Sequence, residues 1–191
     1  MKKYYFAFIT LLLITFSSIS LSYAENQNKE VLIAADKIVL NLSKSLKALS
    51  EKTNIPIVFP TVLPMDDEVK QYYVNTDVAE KPIDYDFMIS ISAIPDCNGA
   101  PVCNLGYLFA KKKGKPHWVK NSIAETHKVN LVNKVTGYFT PAYSGGGFFP
   151  PTLEWKDNDI LYNLSWGIAP KQAELTLIEM ANSAIKNQNK K

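Results

Sequence analysis

Arginine is absent: all 21 basic residues of the 191-residue chain are lysines. Nucleic-acid readout leans on arginine forks and a strongly basic face. Residues 25–191 balance 19 lysines against 18 acids, a net +1, so no nucleic-acid partner is expected. Histidine is nearly absent, with only His117 and His127, and the only cysteines are Cys97 and Cys103. Zinc wants four ligands at paired spacings, which these residues do not provide. No metal and no cofactor are expected. There is no G-x-S-x-G elbow for a serine nucleophile. Ser144–Gly147 reads SGGG but lacks the Gly-Lys-Ser/Thr ending and the strand–loop–helix setting of a phosphate loop. No transmembrane segment is expected in residues 25–191, and no alternation of strand and helix points to a parallel sheet.

What is present begins with an address. Lys2 and Lys3 precede an uncharged apolar run, Phe6 to Phe16, and Ser22-Tyr23-Ala24 supplies the small residues a signal peptidase reads. Residues 1–24 are therefore expected to be a signal peptide, with one globular domain over residues 25–191. The Lys-Lys start and the short leader look bacterial, which implies the periplasm or the medium. In an oxidising compartment, paired cysteines become disulfides. Cys97 and Cys103 lie in C-x5-C spacing, not the C-x-x-C of thioredoxin-like redox centres. Asn98-Gly99 and Pro101 lie between them and suit a turn. We expect a structural staple, contributing about 2.4 kcal/mol in the chain-entropy treatment of so short a ring.

The periodicities predict an α+β fold. Val31, Ala35, Ile38, Leu42, Leu46 and Leu49 recur at helical spacing over 30–53. Pro56, Pro60 and Pro64 then force an extended segment. Over 84–92, Tyr85, Phe87, Ile89 and Ile91 alternate with more polar residues, the mark of a strand buried on one face. Residues 105–111 are expected to pair back across the cysteine turn. Two hairpins follow, 127–141 around Asn133-Lys134 and 152–166 turning at Asp157-Asn158, with 142–151 as a loop between them. Residues 170–187 predict a closing helix with Leu175, Ile178, Ala181 and Ile185 inward. The expected architecture is a single twisted antiparallel sheet flanked by an N-terminal and a C-terminal helix. Its other face would be open to water or partly covered by the proline-rich segment.

"CNGAPVC", "NLVNKVTGYFTPAYSGGGFFPPTLEWKDNDILYNLS" and "LIEMANSAI" together resemble a family of secreted bacterial proteins without an assigned activity. Its pattern is a two-cysteine turn, a GYF-P stretch, a tryptophan strand followed by Y-L, and a closing A-S-I helix. The matching positions are Cys97, Cys103, Gly137 to Phe139, Pro141, Trp155, Tyr162, Leu164, Ala181, Ser183 and Ile185. Members can carry further cysteines where this chain has SGGGF. The resemblance implies export and fold, and implies no activity.

Candidate chemistry is sparse. Asp84 with Asp86, and Glu154 with Asp157, are carboxylate pairs, but their spacing shows no convergence of the kind glycoside cleavage needs. Lys111, Lys112, Lys113, Lys115 and Lys120 cluster around Trp118. They suit a solvated hairpin end that discourages edge pairing, or a contact with anionic envelope polymers or lipid head groups. The aromatic residues around Gly145–Gly147 are more suggestive. Tyr143, Phe148, Phe149 and Trp155 are the expected ligand or partner contact, since aromatic faces stack on sugars or hold peptides. The chain thus reads as a non-enzymatic binding or accessory domain of the cell envelope, with no catalytic residue assigned. Its partner would be an envelope protein, a glycan or an apolar ligand. The alternatives are a small extracytoplasmic hydrolase and an envelope structural or assembly factor.

Overall fold

In the computed structural model, residues 32–34, 42–64, 69, 71–76, 85–95, 97, 100, 102–119, 124–167 and 172–188 are described. Backbone contacts divide the chain into Met1–Leu32 and Ile33–Lys191, and the fold below belongs to the second unit. The expected signal peptide, residues 1–24, lies outside the described residues, as does Asp84.

Alternating side chains build the main sheet. Strand β3 (Tyr73–Thr76) pairs with β4 (Asp86–Ser92), and β4 pairs with β5 (Asn104–Lys112). Strands β6 (His127–Asn130), β7 (Thr136–Thr140), β10 (Thr152–Asp157) and β11 (Ile160–Trp166) complete a seven-stranded sheet in the order β3-β4-β5-β11-β10-β7-β6. Every pairing within this sheet is antiparallel. Two further ribbons stand apart. Strand β1 (Leu32–Ala34) pairs with β2 (Val62–Pro64), and β8 (Tyr143–Ser144) pairs with β9 (Phe148–Phe149). The helices are α1 (Leu42–Ser50) and α2 (Ala173–Gln188).

Cross-strand register shows which residues share a face. Val74, Ile91, Gly106 and Trp166 form one row, and Ile89, Leu108, Leu164, Leu153 and Phe139 form the next. Phe87, Ala110, Tyr162, Trp155 and Gly137 form the third. All of these large side chains belong to one buried core. That core also takes Leu49 from α1 and Leu177, Met180, Ala181, Ala184 and Ile185 from α2. Gly106 is required where it stands: a Cβ there would lie 2.6 Å from both Ser165 O and Trp166 Cε3.

Both hairpin turns use left-handed residues. Asn133 and Lys134 have φ of 56° and 60°, and Val135 N–H closes onto Val132 O, as a tight two-residue turn demands. At the other turn Asn158 has φ of 52°, and the loop residues are Asn158-Asp159, one position later than expected.

Several expectations need correction. The helix expected over 30–53 is confined to Leu42–Ser50 among the described residues, and Leu32–Ala34 is a strand. Val31, Leu32 and Ile33 are consecutive apolar residues, which fit a short strand as well as a helix, and β2 supplies the pairing partner. Leu175 is exposed; α2 instead turns Leu177, Met180, Ala181 and Ala184 inward. The proline-rich segment lies on the same apolar face as α2, not on the opposite one. Tyr162 Oη donates to Pro56 O at 2.9 Å, and Thr61 N–H donates to Ser183 Oγ of α2 at 3.0 Å. The 142–151 loop contains the β8–β9 ribbon.

Candidate functional site

The sheet's two ends differ in chemistry. Ser90, Tyr107, Ser165, Thr152 and Thr140 are successive partners across β4, β5, β11, β10 and β7. The β4–β5 connection and the β7–β10 connection therefore rise from the same end of the sheet. Only β11 separates β5 from β10, so the bases of the two loops are about 10 Å apart at normal strand spacing.

The β7–β10 loop carries the aromatic residues. Tyr143 faces Phe149 across the β8–β9 ribbon, and their rings stack with centroids 4.6 Å apart and planes 12° from parallel. Phe148 is 60% exposed and Phe149 43%. The ribbon's turn closes with Gly145 N–H on Gly147 O, and Gly146 takes φ 75°, a conformation glycine adopts without a Cβ clash. At its base, Ser165 Oγ donates to Pro151 O in the interior. From Val135 to Leu153 there is no charged residue.

The β4–β5 loop holds the cysteines. Cys97 and Cys103 form a disulfide, with Cα atoms 5.7 Å apart. Cys97 is buried, and the turn is further fixed by Ala100 N–H to Cys97 O and Cys103 N–H to Ala100 O. Ala93 N–H bonds Cys103 O across its mouth. Ile94 and Val102 of this loop are 50% and 95% exposed. Between Ala93 and Cys103 the sequence has one charge, Asp96.

Trp155 is not part of this surface. It is 1% exposed, stacked on Tyr162 at 5.4 Å, and points inward with Leu153 from β10. Period-2 alternation with Leu153 was the available signal; proximity in sequence to the glycine loop was misleading.

The sheet's second face carries a feature that sequence reasoning missed. Glu154 is only 6% exposed. It accepts from His117 N–H at 2.5 Å and from Asn163 Nδ2 at 2.8 Å. The segment 114–119 thus straps over this face, with Val119 buried and tied to Thr126 by two hydrogen bonds. Trp118 remains exposed, edge-on to Tyr138. His127 pairs with Glu174 at the start of α2 at 3.1 Å.

The lysine-rich turn belongs to the opposite end of the sheet. Lys111 faces Asp86 across β4–β5, and Lys112 faces Ile160 next to the Asp157–Asp159 turn. Lys111 Nζ also lies 5.1 Å from the Tyr85 ring centre.

Among the described residues are two open depressions. One, of about 570 Å³, is bordered by α1, residues Thr53–Phe59 and the end of α2, and its walls hold no carboxylate or histidine. The other, of about 280 Å³, has Asp157 as its one acid, beside Trp155 and Gln188. Among the described residues no three His, Cys, Asp or Glu gather as a metal site, and no helix is long and apolar enough to cross a membrane. No family model, curated protein or solved structure matches the chain.

Proposed function

We propose that the chain is an exported binding module of the cell envelope that makes contact through the β8–β9 tip, and that it is not an enzyme. The observation that carries this reading is the state of the tip. Tyr143, Phe148 and Phe149 stand at the end of a short ribbon, two of the rings are already stacked, and the surrounding chain is uncharged. Aromatic side chains held in place before binding lose little entropy on contact. The supporting scaffold is the sheet with α1 and α2 bracketing its apolar face, Leu49 from one and Leu177 and Met180 from the other. The disulfide between Cys97 and Cys103 supports an extracytoplasmic address, since such bonds persist in oxidising compartments.

The test is sedimentation with the envelope fraction of the producing cell. Wild-type chain is expected to pellet with the envelope, and Phe148→Ala/Phe149→Ala to stay in the supernatant with an unchanged melting temperature. Equal pelleting of both proteins removes the contact role of the tip. A large fall in melting temperature identifies the rings as part of the core and removes it equally.

A further inference from the structure

We infer that the depression of about 280 Å³ beside the end of α2 is a second binding site, and that it takes one neutral sugar residue. This does not rest on the contact role of the β8–β9 tip. The observation that carries it is an orphaned donor. Trp155 is 1% exposed and borders the depression, yet its indole Nε1–H has no acceptor and almost no contact with solvent. Buried indole N–H groups ordinarily find a partner, so one left without marks a place for a ligand atom or a trapped water. The other walls are Asn133, Val135, Asp157, Ile185 and Gln188. They come from the β6–β7 turn, the end of β10 and the last turn of α2, so three separate elements converge on the indole.

The chemistry of these walls selects the ligand. The indole can only donate, so it asks for an acceptor, and an ionised Asp157 can only accept, so it asks for donors. A hydroxyl supplies both. An anion would satisfy the indole, but among the described residues no cation lines the depression, and Asp157 would repel it. A bare cation would suit Asp157 and leave the indole unpaired. Val135 and Ile185 offer an apolar wall to the C–H face of a sugar ring. The volume falls short of a pocket for a drug-sized molecule and suits a single ring. In the free protein Gln188 Nε2 donates to Asp157 Oδ2 at 2.7 Å, and Asn158 Nδ2 donates to Asp157 Oδ1 at 3.1 Å. A sugar hydroxyl displaces Gln188 from the carboxylate. Gln188 is the last residue of α2, so its side chain can swing aside without moving the helix, and its departure opens the way to the indole.

The experiment follows the indole N–H signals of the full exported chain by heteronuclear NMR during titration with the methyl glycosides of glucose, galactose, mannose and N-acetylglucosamine. The chain has three tryptophans, Trp118, Trp155 and Trp166, and Trp155→Phe identifies the signal of interest by removing it. At least one glycoside is expected to move that signal saturably, with a dissociation constant on the order of 1 mM for a ligand of this size. Asp157→Asn should weaken binding about tenfold or more, because it removes a charged acceptor. Gln188→Ala should bind as tightly as wild type or more tightly. Opposite effects at the two ends of one hydrogen bond separate a ligand site from structural damage, and circular dichroism melting checks that the variants are folded. Phe148→Ala/Phe149→Ala should bind as wild type does. The inference is overturned if no glycoside moves the Trp155 signal, which leaves a trapped water as the indole's partner, if Asp157→Asn binds as wild type does, or if Gln188→Ala loses binding. Saturable binding of methylammonium in place of the glycosides would make the ligand a cation and would overturn it too. If glycoside binding vanishes in Phe148→Ala/Phe149→Ala, the sugar sits at the β8–β9 tip; the contact role proposed there then stands and this site does not.

Discussion

Tyr162 donates its hydroxyl to the carbonyl of Pro56 across 106 residues of chain, at 2.9 Å. This bond ties the proline-rich segment to the middle of the sheet, and the ring beneath it stacks on Trp155. Burial pushes the phenol well above its ordinary value near 10, and the negative charge of Asp157 pushes it further. A group whose folded value is raised holds its full contribution below the unfolded value. It loses that contribution as pH rises from about 10 toward the folded value. Wild-type stability should therefore fall above about pH 10. Tyr162→Phe should be about 1 kcal/mol less stable at neutral pH, for the lost hydrogen bond, and should fall less steeply in alkali. Denaturant melts of both proteins from pH 7 to 11.5 check this; parallel alkaline slopes would show that Tyr162 is not responsible.

The ring of Trp166 occupies the space above Gly106, so Gly106→Ala sets a methyl group against the Ser165 carbonyl as well as the indole. A backbone oxygen cannot turn aside as a side chain can. The expected loss is about 1–3 kcal/mol, typical of overpacked cores, read from urea unfolding. A change smaller than about 0.5 kcal/mol, within the range of ordinary surface substitutions, would mean that β5 and β11 separate easily at this point.

How much of this was legible depends on whether a signal is local. Phe87, Ile89 and Ile91, and again Ile160, Tyr162, Leu164 and Trp166, alternate and face the core, but Tyr85, expected with the first set, is exposed, and Ser90, Ser92, Leu161 and Ser165 on the other face are buried too, so the expected wet face is not one. Asn133-Lys134 was legible as a turn because asparagine tolerates left-handed backbone; Lys134 takes the same conformation without that advantage. The paired cysteines were legible from their C-x5-C spacing and the turn residues between them. The burial of Glu154 was not, because it depends on a strap, residues 114–119, that folds across from 37 positions earlier in the chain and leaves no periodic trace. The strand at Leu32–Ala34 was missed for a related reason. Its apolar residues fit either period, and the deciding partner, β2, lies some thirty residues away. In the glycine loop Phe148 and Phe149 are exposed, whereas Trp155 belongs to the next strand's alternation.

The disulfide should act locally. Exported protein is expected to show Cys97 and Cys103 two hydrogens lighter than free thiols by mass spectrometry. Cys97→Ser/Cys103→Ser should fold, with a loss of about 2 kcal/mol, the scale of a short closed ring. Reductant should lower the melting temperature of wild type and leave the double variant unmoved. Equal sensitivity of the two proteins to reductant would contradict the staple.

Glu154 offers the sharpest test of the second face. Its carboxylate takes the His117 N–H and the Asn163 amide in a setting with little water, so both donors depend on it. Replacing it with alanine takes the acceptor from two partly buried donors, at up to about 1–3 kcal/mol in all, because water reaches the exposed His117 side. Glu154→Gln retains an acceptor oxygen for one donor but points an amide N–H at the other, so it should lose roughly half as much. Hydrogen exchange adds a local readout. Amides of the strap, Val119 above all, should lose protection in Glu154→Ala while the β5–β11 amides of the sheet keep theirs. If the strap stays protected in Glu154→Ala, the segment is held by Val119 and its bonds to Thr126, and the carboxylate is incidental to it.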